Sequence, residues 1–290
     1  MPDPGPPPRE LVSIIERVLA EDLGSGDLTT GALLEERATA RAEISFREKG
    51  IMAGGIVAEL VLRELDIETQ YDQLVPEGGW VEAGAPVIKA VARARAILSG
   101  ERVLLNFVAH LSGIATLAAN FIKAVEGTGV EILDTRKTTP GLRALEKYAV
   151  RAGGGTSHRM GLNDAVLIKD NHLTLTGLTP AVAAARAKAR VNRPVEVEVT
   201  TLEDALACAR AGADVIMLDN FDPSHAEGAI RALRAEFPKG ADYSPTIEIS
   251  GGVTLENVRD YAEAGPDRIS VGALTHSAAS LDVTLDVWPL

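Results

Sequence analysis

Residues 195–219, VEVEVTTLEDALACARAGADVIMLD, decide the fold class. Two apolar runs, 195–199 and 214–218, flank an alanine-rich stretch with helical spacing that ends at Gly212. A glycine just after the last helical residue is a common helix C-cap. The segment therefore predicts strand, helix, strand, and apolar strands that alternate with helices indicate a parallel sheet.

The same alternation extends through the second half of the chain. The predicted strands are 131–134, 165–168, 195–199, 214–218, 246–249 and 268–271. Six strand–helix units with polar residues at the strand ends predict an α/β fold with an incomplete parallel barrel of the TIM type. A doubly wound open sheet has the same periodicity, so the pattern alone leaves that architecture open.

Within VEVEV, the period of two puts the three valines on one face and Glu196 and Glu198 on the other. The outer helices of a barrel need the valine face. Both glutamates are therefore predicted to point into the barrel lumen, with Glu198 nearer the mouth. An edge strand with both glutamates in solvent is the alternative.

The first half of the chain has a different pattern, typical of a separate α/β sandwich domain. LVSIIERVLAEDLG predicts an amphipathic helix, two glycine-broken segments predict strands, and SGERVLLNFVAHLSGIATLAANFIKAVEG predicts one or two long helices. We expect an N-terminal domain over 1–112, the barrel over 113–274, and a C-terminal segment, 275–290, that returns to the N-terminal domain.

Composition excludes several classes of protein. The chain has 290 residues and a net charge of -12, which argues against bulk nucleic-acid binding. No apolar stretch reaches the roughly 18 residues typical of a membrane span. The single cysteine, Cys208, excludes an internal disulfide and is predicted to be a buried structural thiol. MPDPGPPPRE predicts a polyproline-like tail. Together these features predict a soluble cytoplasmic protein.

Against this acidic background, five cations gather in residues 134–172, DTRKTTPGLRALEKYAVRAGGGTSHRMGLNDAVLIKDNH: Arg136, Lys137, His158, Arg159 and Lys169. Several follow predicted strands, where barrel enzymes carry their catalytic groups. Fixed cations on short turns suit a multiply anionic small molecule. The alternatives are a solvated Arg136–Lys137 pair and a structural histidine.

Acidic and glycine-rich sites lie at other strand ends. Glu198 and Asp219 lie at the ends of two predicted strands. The glycine-rich segments ISGGV and SVGAL lie at the ends of the last two predicted strands, 246–249 and 268–271. Free backbone N–H groups in such turns can hold a phosphate, and barrels often bind phosphate after their last strands.

DTRKTTPGLR, GGGTSHRMGL and LIKDNH resemble the signature of the quinolinate phosphoribosyltransferase family, the carboxylating nicotinate-nucleotide pyrophosphorylases. The resemblance extends upstream through SGERVLLNFVAHLSGIAT and downstream through VEVEV, IMLDNF, ISGGV and VGALTHS. It implies the same two-part layout. It also implies phosphoribosyl transfer from 5-phosphoribosyl 1-pyrophosphate to quinolinate with loss of CO2, which gives nicotinate mononucleotide and pyrophosphate.

The resemblance also implies residue roles. In the family, the quinolinate carboxylates are bound by the residues that match Arg136, His158, Arg159 and Lys169. Thr135 matches a residue beside the pyridine ring, and Lys137 matches one that binds phosphoribosyl pyrophosphate. Glu198 and Asp219 match residues that face the ribose hydroxyls and Mg2+. The phosphate region is lined by Ser250, Gly251, Gly272 and His276. Arg102 matches an arginine that enters the site of a neighbouring subunit, which implies a homodimer or a higher oligomer of dimers.

Three other functions fit parts of the sequence. A related phosphoribosyltransferase acting on another anionic heterocycle would use the same architecture. A Schiff-base aldolase on a barrel would use Lys169 or Lys137 as its amine. A carrier module would use Lys89, because EGGWVEAGAPVIKAV is similar to a biotinyl or lipoyl hairpin.

Overall fold

The computed structural model describes residues 8–290, so most of the predicted polyproline tail lies outside the described residues. The chain divides into two compact units. The first comprises residues up to Ala119, Thr138–Gly154 and Leu274–Leu290, and the second comprises Asn120–Lys137 and Gly155–Ala273.

The first unit is built on an antiparallel sheet. Its strands are β1 (Thr39–Phe46), β2 (Gly50–Ile51), β3 (Gln70–Gln73), β4 (Trp80–Val81), β5 (Pro86–Arg93) and the C-terminal β12 (Val283–Pro289). Its helices are α1 (Pro8–Leu23), α2 (Leu28–Leu33), α3 (Gly55–Leu65) and most of α4 (Ala94–Ala124). The main sheet has the order β12-β1-β5-β3, so the C-terminal segment pairs with the first strand of the chain.

The long helix α4 runs unbroken for 31 residues, where the sequence allowed one helix or two. By length and composition it is apolar enough to cross a membrane. The sequence has no uninterrupted apolar stretch of that length, so the sequence analysis did not predict this property. However, 61% of its most apolar window is buried. Val103, Leu104, Val108 and Leu111 are all at most 3% exposed, as in the core helix of a soluble protein.

Helix α5 (Arg143–Ala152) belongs to the first unit, although the sequence boundaries counted it within the barrel. Its residues from Leu145 to Val150 are buried. Glu146 contacts His110 of α4, and a Cβ on Gly153 would lie 2.2 Å from the carbonyl oxygen of Ala115. These close contacts between helices explain the grouping, because sequence order does not reveal such packing.

The second unit is a parallel α/β barrel that is not closed. Its strands are β6 (Glu131–Leu133), β7 (Val166–Ile168), β8 (Val195–Val199), β9 (Val215–Asp219), β10 (Thr246–Ser250) and β11 (Arg268–Ser270). The helices of this unit are α6 (Asp170–Thr176), α7 (Pro180–Arg190), α8 (Leu202–Arg210), α9 (Pro223–Glu236) and α10 (Val258–Glu263). The short helix α11 (Ala273–His276) follows, and from Leu274 on it is counted with the first unit. All six predicted strands are confirmed to within one residue at each end.

Strand order decides between the two architectures that periodicity left open. Within the described residues the order is β6-β11-β10-β9-β8-β7, and the adjacent strands are parallel. The first strand pairs with the last, as in a barrel, whereas a doubly wound sheet reverses its order at an internal switch point. The gap lies between β6 and β7, so the prediction of an incomplete barrel is confirmed.

Outward-facing side chains of the barrel strands form its core with the helices. Val195 and Val197 are fully buried, as is Cys208 of α8. Burial raises the pKa of the Cys208 thiol to about 12, so it is protonated at neutral pH. The prediction of a buried structural thiol is confirmed.

Candidate functional site

Both glutamates of VEVEV face the inside of the barrel, as predicted. Glu196 of β8 and Glu248 of β10 lie on strands separated by β9, yet both contact His158. Side chains from non-adjacent strands can meet in this way only across the lumen. Glu198, one pleat nearer the mouth, contacts Lys169.

A layer of four charged or titratable side chains fills the lumen at this level; we call it the charged layer, and it consists of His158, Glu196, Glu248 and Arg268. The Nε2 atom of His158 lies 3.2 Å from an Oε of Glu196 and 3.6 Å from an Oε of Glu248. The Arg268 guanidinium lies 2.5 Å from Glu248 and 3.6 Å from Glu196. The side chains of Glu196 and Glu248 are 3% and 0% exposed, so these contacts replace their hydration.

The charges of this layer shift the pKa values of His158 and Glu196. Burial lowers the pKa of His158, but the two glutamates outweigh it and raise that pKa to about 9. Burial, and then repulsion from Glu248, raises the pKa of Glu196. The backbone N–H of Arg159 donates to Nδ1 of His158 at 2.8 Å, which requires an unprotonated Nδ1. A ring protonated on both nitrogens, which the raised pKa of His158 favours at neutral pH, would lose that hydrogen bond, because two N–H groups at that distance repel each other.

The turn that carries His158 and Arg159 is fixed to the edge of β6. Thr156 forms a parallel bridge with Leu133, which partly covers the gap in the barrel. The backbone N–H of His158 then donates to the buried carboxylate of Asp134 at 2.9 Å. These contacts hold both residues at the carboxyl end of the strands.

Arg159 and Arg136 form a pair of like charges. The Nη1 of Arg159 donates to the Ala165 carbonyl at 3.0 Å, and its Nε is buried without a hydrogen-bond partner among residues 8–290. Burial, followed by repulsion from Arg136, lowers the pKa of Arg159. An anion placed against both guanidiniums would relieve this repulsion.

The second part of the site combines two carboxylates and two lysines. Lys169, directly after β7, forms an ion pair with Glu198. Burial and then Glu198 raise the pKa of Asp219, whereas Lys169 and Lys137 oppose that shift. Asp219 ends β9 and Lys169 directly follows β7, so both belong to the carboxyl ends of the strands, at the mouth of the barrel. Such a mixture of charges suits a ligand that carries both hydroxyl groups and phosphates.

The turns after β9 and β10 are packed tightly together. Asn220 has a positive φ of 56°, and its N–H donates to the Ser250 carbonyl at 2.9 Å. Gly251 has a φ of 93°, and a Cβ there would lie 2.3 Å from Oδ1 of Asn220. Gly251 therefore cannot be replaced by a larger residue without moving this turn. Gly251 is half-buried and directly follows β10, a position that fits the predicted phosphate-binding role.

Four predicted residues lie outside the contacts described above. Thr135 accepts the N–H of Lys137 at 3.0 Å and so closes the turn that carries both cations. Arg102 is exposed on the part of α4 that lies in the first unit. His276 ends α11 and is exposed, with Nδ1 2.6 Å from Oγ of Ser277. Gly272 lies two residues after the end of β11 and directly precedes α11.

Two sets of residues have the composition of a metal site. His158, Glu196 and Glu248 bring ligand atoms within 4.8 Å of one another, but the guanidinium of Arg268 already supplies the cation there. Glu198 and Asp219 offer oxygen ligands, which Mg2+ prefers, and their mutual repulsion is what a divalent cation relieves. The predicted pair therefore fits Mg2+ better than the buried group.

Sequence reasoning missed Glu248, Arg268 and Asn220. Glu248 is the central residue of TIEIS, a five-residue strand with the same kind of inward-facing glutamate as VEVEV. That parity was the available signal. Arg268 gave none, because its partners depend on the parallel register that pairs it with Glu248.

Two of the alternative functions meet structural objections. The Nζ of Lys169 is engaged by a carboxylate, rather than held in the apolar pocket that activates a Schiff-base lysine. Lys89 lies in the middle of β5, 3.6 Å from Glu43, and not at a hairpin tip. The geometry therefore favours neither an aldolase nor a carrier module.

Comparison with known proteins agrees with the fold and the motifs. Residues 27–112 match the model of the quinolinate phosphoribosyl transferase N-terminal domain, and residues 114–286 match that of the C-terminal domain. The carboxylating nicotinate-nucleotide pyrophosphorylase of Mycobacterium leprae is 44% identical, over 94% of this chain and 95% of that protein. The human protein of the same name is 36% identical, over 97% and 93%.

Solved structures give the same result. The crystal structure of NadC from Streptococcus pyogenes superposes with a TM-score of 0.90 at 36% identity and covers 98% of both chains. The nicotinate-nucleotide pyrophosphorylase from Francisella tularensis gives 0.88 at 36% identity, over 97% of both chains.

Proposed function

Because the chain belongs to the quinolinate phosphoribosyltransferase family, we propose that it transfers the phosphoribosyl group of 5-phosphoribosyl 1-pyrophosphate to quinolinate with decarboxylation, in NAD biosynthesis. The products are nicotinate mononucleotide, pyrophosphate and CO2. The observation that carries this proposal is the repelling pair Arg136 and Arg159 beside a mixed cluster of lysines and carboxylates. The arginine pair fits a dicarboxylate, and the mixed cluster fits a phosphorylated sugar.

Quinolinate occupies the arginine side of the site in this proposal. Arg136 and Arg159 pair with its carboxylates, and a guanidinium can bind a carboxylate through two parallel hydrogen bonds. Lys169 and Thr135 complete the pocket. Arg102, exposed on α4, reaches the site of a second subunit in a homodimer. Exposure supports that role, since a buried arginine would not be accessible to a partner.

Phosphoribosyl pyrophosphate occupies the side with the mixed charges. Lys137 pairs with its phosphates, and Ser250, Gly251, Gly272 and His276 line the phosphate region. Glu198 and Asp219 bind the ribose hydroxyls and would hold Mg2+. When bound, Mg2+ neutralises part of the pyrophosphate charge and so makes pyrophosphate a better leaving group.

The reaction requires positioning and charge stabilisation more than a protein nucleophile. As the bond from C1′ to pyrophosphate breaks, the ribosyl group gains positive charge, and the carboxylates of Glu198 and Asp219 can stabilise it. The pyridine nitrogen attacks C1′ and becomes a pyridinium. The C2 carboxylate then leaves as CO2, its bonding electrons pass to the ring, and a proton replaces it at C2.

Product analysis tests the proposal. The purified protein is incubated with quinolinate, 5-phosphoribosyl 1-pyrophosphate and Mg2+, and the products are separated by anion exchange and identified by mass spectrometry. We expect nicotinate mononucleotide and pyrophosphate in equal amounts. A nucleotide formed only from another anionic heterocycle would instead identify a related phosphoribosyltransferase. We also propose that the protein acts as a soluble enzyme in the cytoplasm.

A further inference from the structure

Asn220 has an unusual backbone conformation at the mouth of the barrel. Its φ of 56° is the only positive φ of a non-glycine residue within 8–290. The left-handed region is unfavourable for residues with a Cβ, although asparagine enters it more readily than most. A conformation of this kind persists where the surrounding contacts impose it, and such positions cluster at functional sites.

The left-handed backbone brings the side chain of Asn220 to that of Asp219. Successive side chains of an extended strand point to opposite faces, so neighbours in sequence do not ordinarily meet. Asp219 is the last residue of β9, and the chain leaves the strand at Asn220. Nδ2 of Asn220 then donates to Oδ2 of Asp219 at 2.6 Å. Because the acceptor is ionised, this hydrogen bond is a strong one and fixes the rotation of the carboxylate.

Three further contacts hold the turn that contains Asn220. Its backbone N–H donates to the Ser250 carbonyl, at the end of β10, at 2.9 Å. Its Oδ1 packs so closely against Gly251 that a Cβ there would overlap it. The hydroxyl of Tyr261, on α10, donates to the Phe221 carbonyl at 2.9 Å. The amide of Asn220 therefore lies between the carboxylate at the end of β9 and the glycine turn after β10.

We propose that Asn220 is a positioning residue whose amide holds the Asp219 carboxylate in one orientation and ties it to the turn after β10. The inference rests on the proposed function, which gives the ligand as phosphoribosyl pyrophosphate with Mg2+, bound by Asp219 and by that turn. Asn220 acts through Asp219 rather than on the reacting atoms. Carboxylates that bind a metal ion are themselves held by hydrogen bonds, and loss of such a bond typically lowers metal affinity by roughly 10–100-fold.

A role in folding alone would not require asparagine at this position. Glycine adopts the left-handed region without strain, and it would keep the backbone hydrogen bond to Ser250. What glycine lacks is the amide that contacts Asp219 and Gly251. Asn220→Gly therefore separates the role of the side chain from that of the backbone.

The test compares three variants with the wild type: Asn220→Gly, Asn220→Asp and, as a control, Tyr261→Phe. Aspartate also tolerates the left-handed region, but it places a carboxylate oxygen, instead of a donor, against Asp219. Tyr261→Phe removes a hydrogen bond from the same turn and leaves the amide of Asn220 in place. Calorimetry gives the Kd of phosphoribosyl pyrophosphate with Mg2+ and the Kd of quinolinate. Crystal structures of unliganded wild type and Asn220→Gly give the orientation of the Asp219 carboxylate.

We expect Asn220→Gly to weaken phosphoribosyl pyrophosphate by about tenfold, the lower end of the range for such supporting bonds. Asn220→Asp should weaken it further, because two adjacent carboxylates repel each other. Both variants should bind quinolinate as the wild type does. Tyr261→Phe should lower Tm and leave both Kd values unchanged. In the Asn220→Gly crystal, the Asp219 carboxylate should leave its wild-type orientation or occupy more than one.

An unchanged Kd of phosphoribosyl pyrophosphate in Asn220→Gly would overturn the proposal, as would a wild-type orientation of Asp219 in its crystal structure. An equal loss in Tyr261→Phe would also overturn it, because the effect would then belong to the turn as a whole and not to the amide. If the wild type does not bind phosphoribosyl pyrophosphate, the proposed function fails. The orientation of Asp219 in the unliganded crystals then decides the positioning role separately.

Discussion

Arg136 and Lys137 are adjacent in sequence, yet their charges act on different parts of the site. Arg136 repels Arg159, whereas Lys137 acts on Asp219. We therefore expect Arg136→Ala to weaken quinolinate and Lys137→Ala to weaken 5-phosphoribosyl 1-pyrophosphate, each by about 1.5–3 kcal/mol. Calorimetry on each variant with each ligand measures both effects.

Arg231→Ala is the matched control for this pair, since Arg231 is an exposed cation of α9 paired with Glu227. It should leave both affinities unchanged. If each of the two site variants loses both ligands equally, the division of the site between the two residues is wrong.

Helix α5 illustrates how a buried carboxylate stabilises a segment of the first unit. The Oε1 of its Glu146 lies 2.9 Å from Nε2 of His110, and Oε2 accepts the N–H of Thr139 at 3.1 Å. Thr139 and Glu146 both belong to the first unit, so this buried carboxylate fixes the turn that leads into α5. Burial raises the pKa of Glu146, but these hydrogen bonds outweigh it and leave the pKa below its usual value.

Glu146→Gln should therefore show a pH-dependent loss of stability. A carboxyl whose pKa is lowered on folding stabilises the protein above its unfolded pKa of about 4.3, and that contribution disappears as the pH falls through the folded value. Urea unfolding at pH 7 should show a loss of about 1.5–3 kcal/mol. The difference from wild type should shrink at pH 4 and below.

An exposed carboxylate gives the control for this experiment. Glu227→Gln, on the surface of α9, should change stability little at either pH. A loss in Glu146→Gln that is as large at pH 3.5 as at pH 7 would show that the charge of Glu146 is not what stabilises this turn.

Elements were the most predictable level of this structure. Val195–Val199 and Thr246–Ser250 are short runs in which apolar residues alternate with others, and each directly follows a proline, so their periodicity locates them closely. Cations that directly follow other barrel strands, such as Lys169 after β7, could be predicted because those strands could be located. The charged layer could not be predicted in this way. Glu248 contacts Arg268 because of the sheet register, and it contacts His158 across the lumen. The assignment of α5 to the first unit likewise depends on packing between distant segments.

At the scale of the whole molecule, we propose that Arg102 connects activity to assembly. If it completes the site of a partner subunit, two inactive variants should restore one another. Mixing Arg102→Ala with Lys137→Ala subunits gives about half heterodimers by random pairing, each with one intact site of two. Activity should return to roughly one quarter of the wild-type value.

Native mass spectrometry provides the control, because it shows whether heterodimers formed. Activity that stays at the level of the two parents, although heterodimers are present, would mean that Arg102 acts within its own subunit or not at all.

The central claim is that the site is built for a dicarboxylate whose C2 carboxylate is lost. Quinolinate labelled in that carboxylate is incubated with 5-phosphoribosyl 1-pyrophosphate and Mg2+, and released CO2 is counted against the nucleotide formed, with nicotinate as a parallel substrate. Removing one anion leaves site cations uncompensated, at a cost of roughly 2–5 kcal/mol. We predict one CO2 per nicotinate mononucleotide from quinolinate and negligible nucleotide from nicotinate. Comparable turnover of the two acids, or nucleotide formed without CO2, would contradict the account.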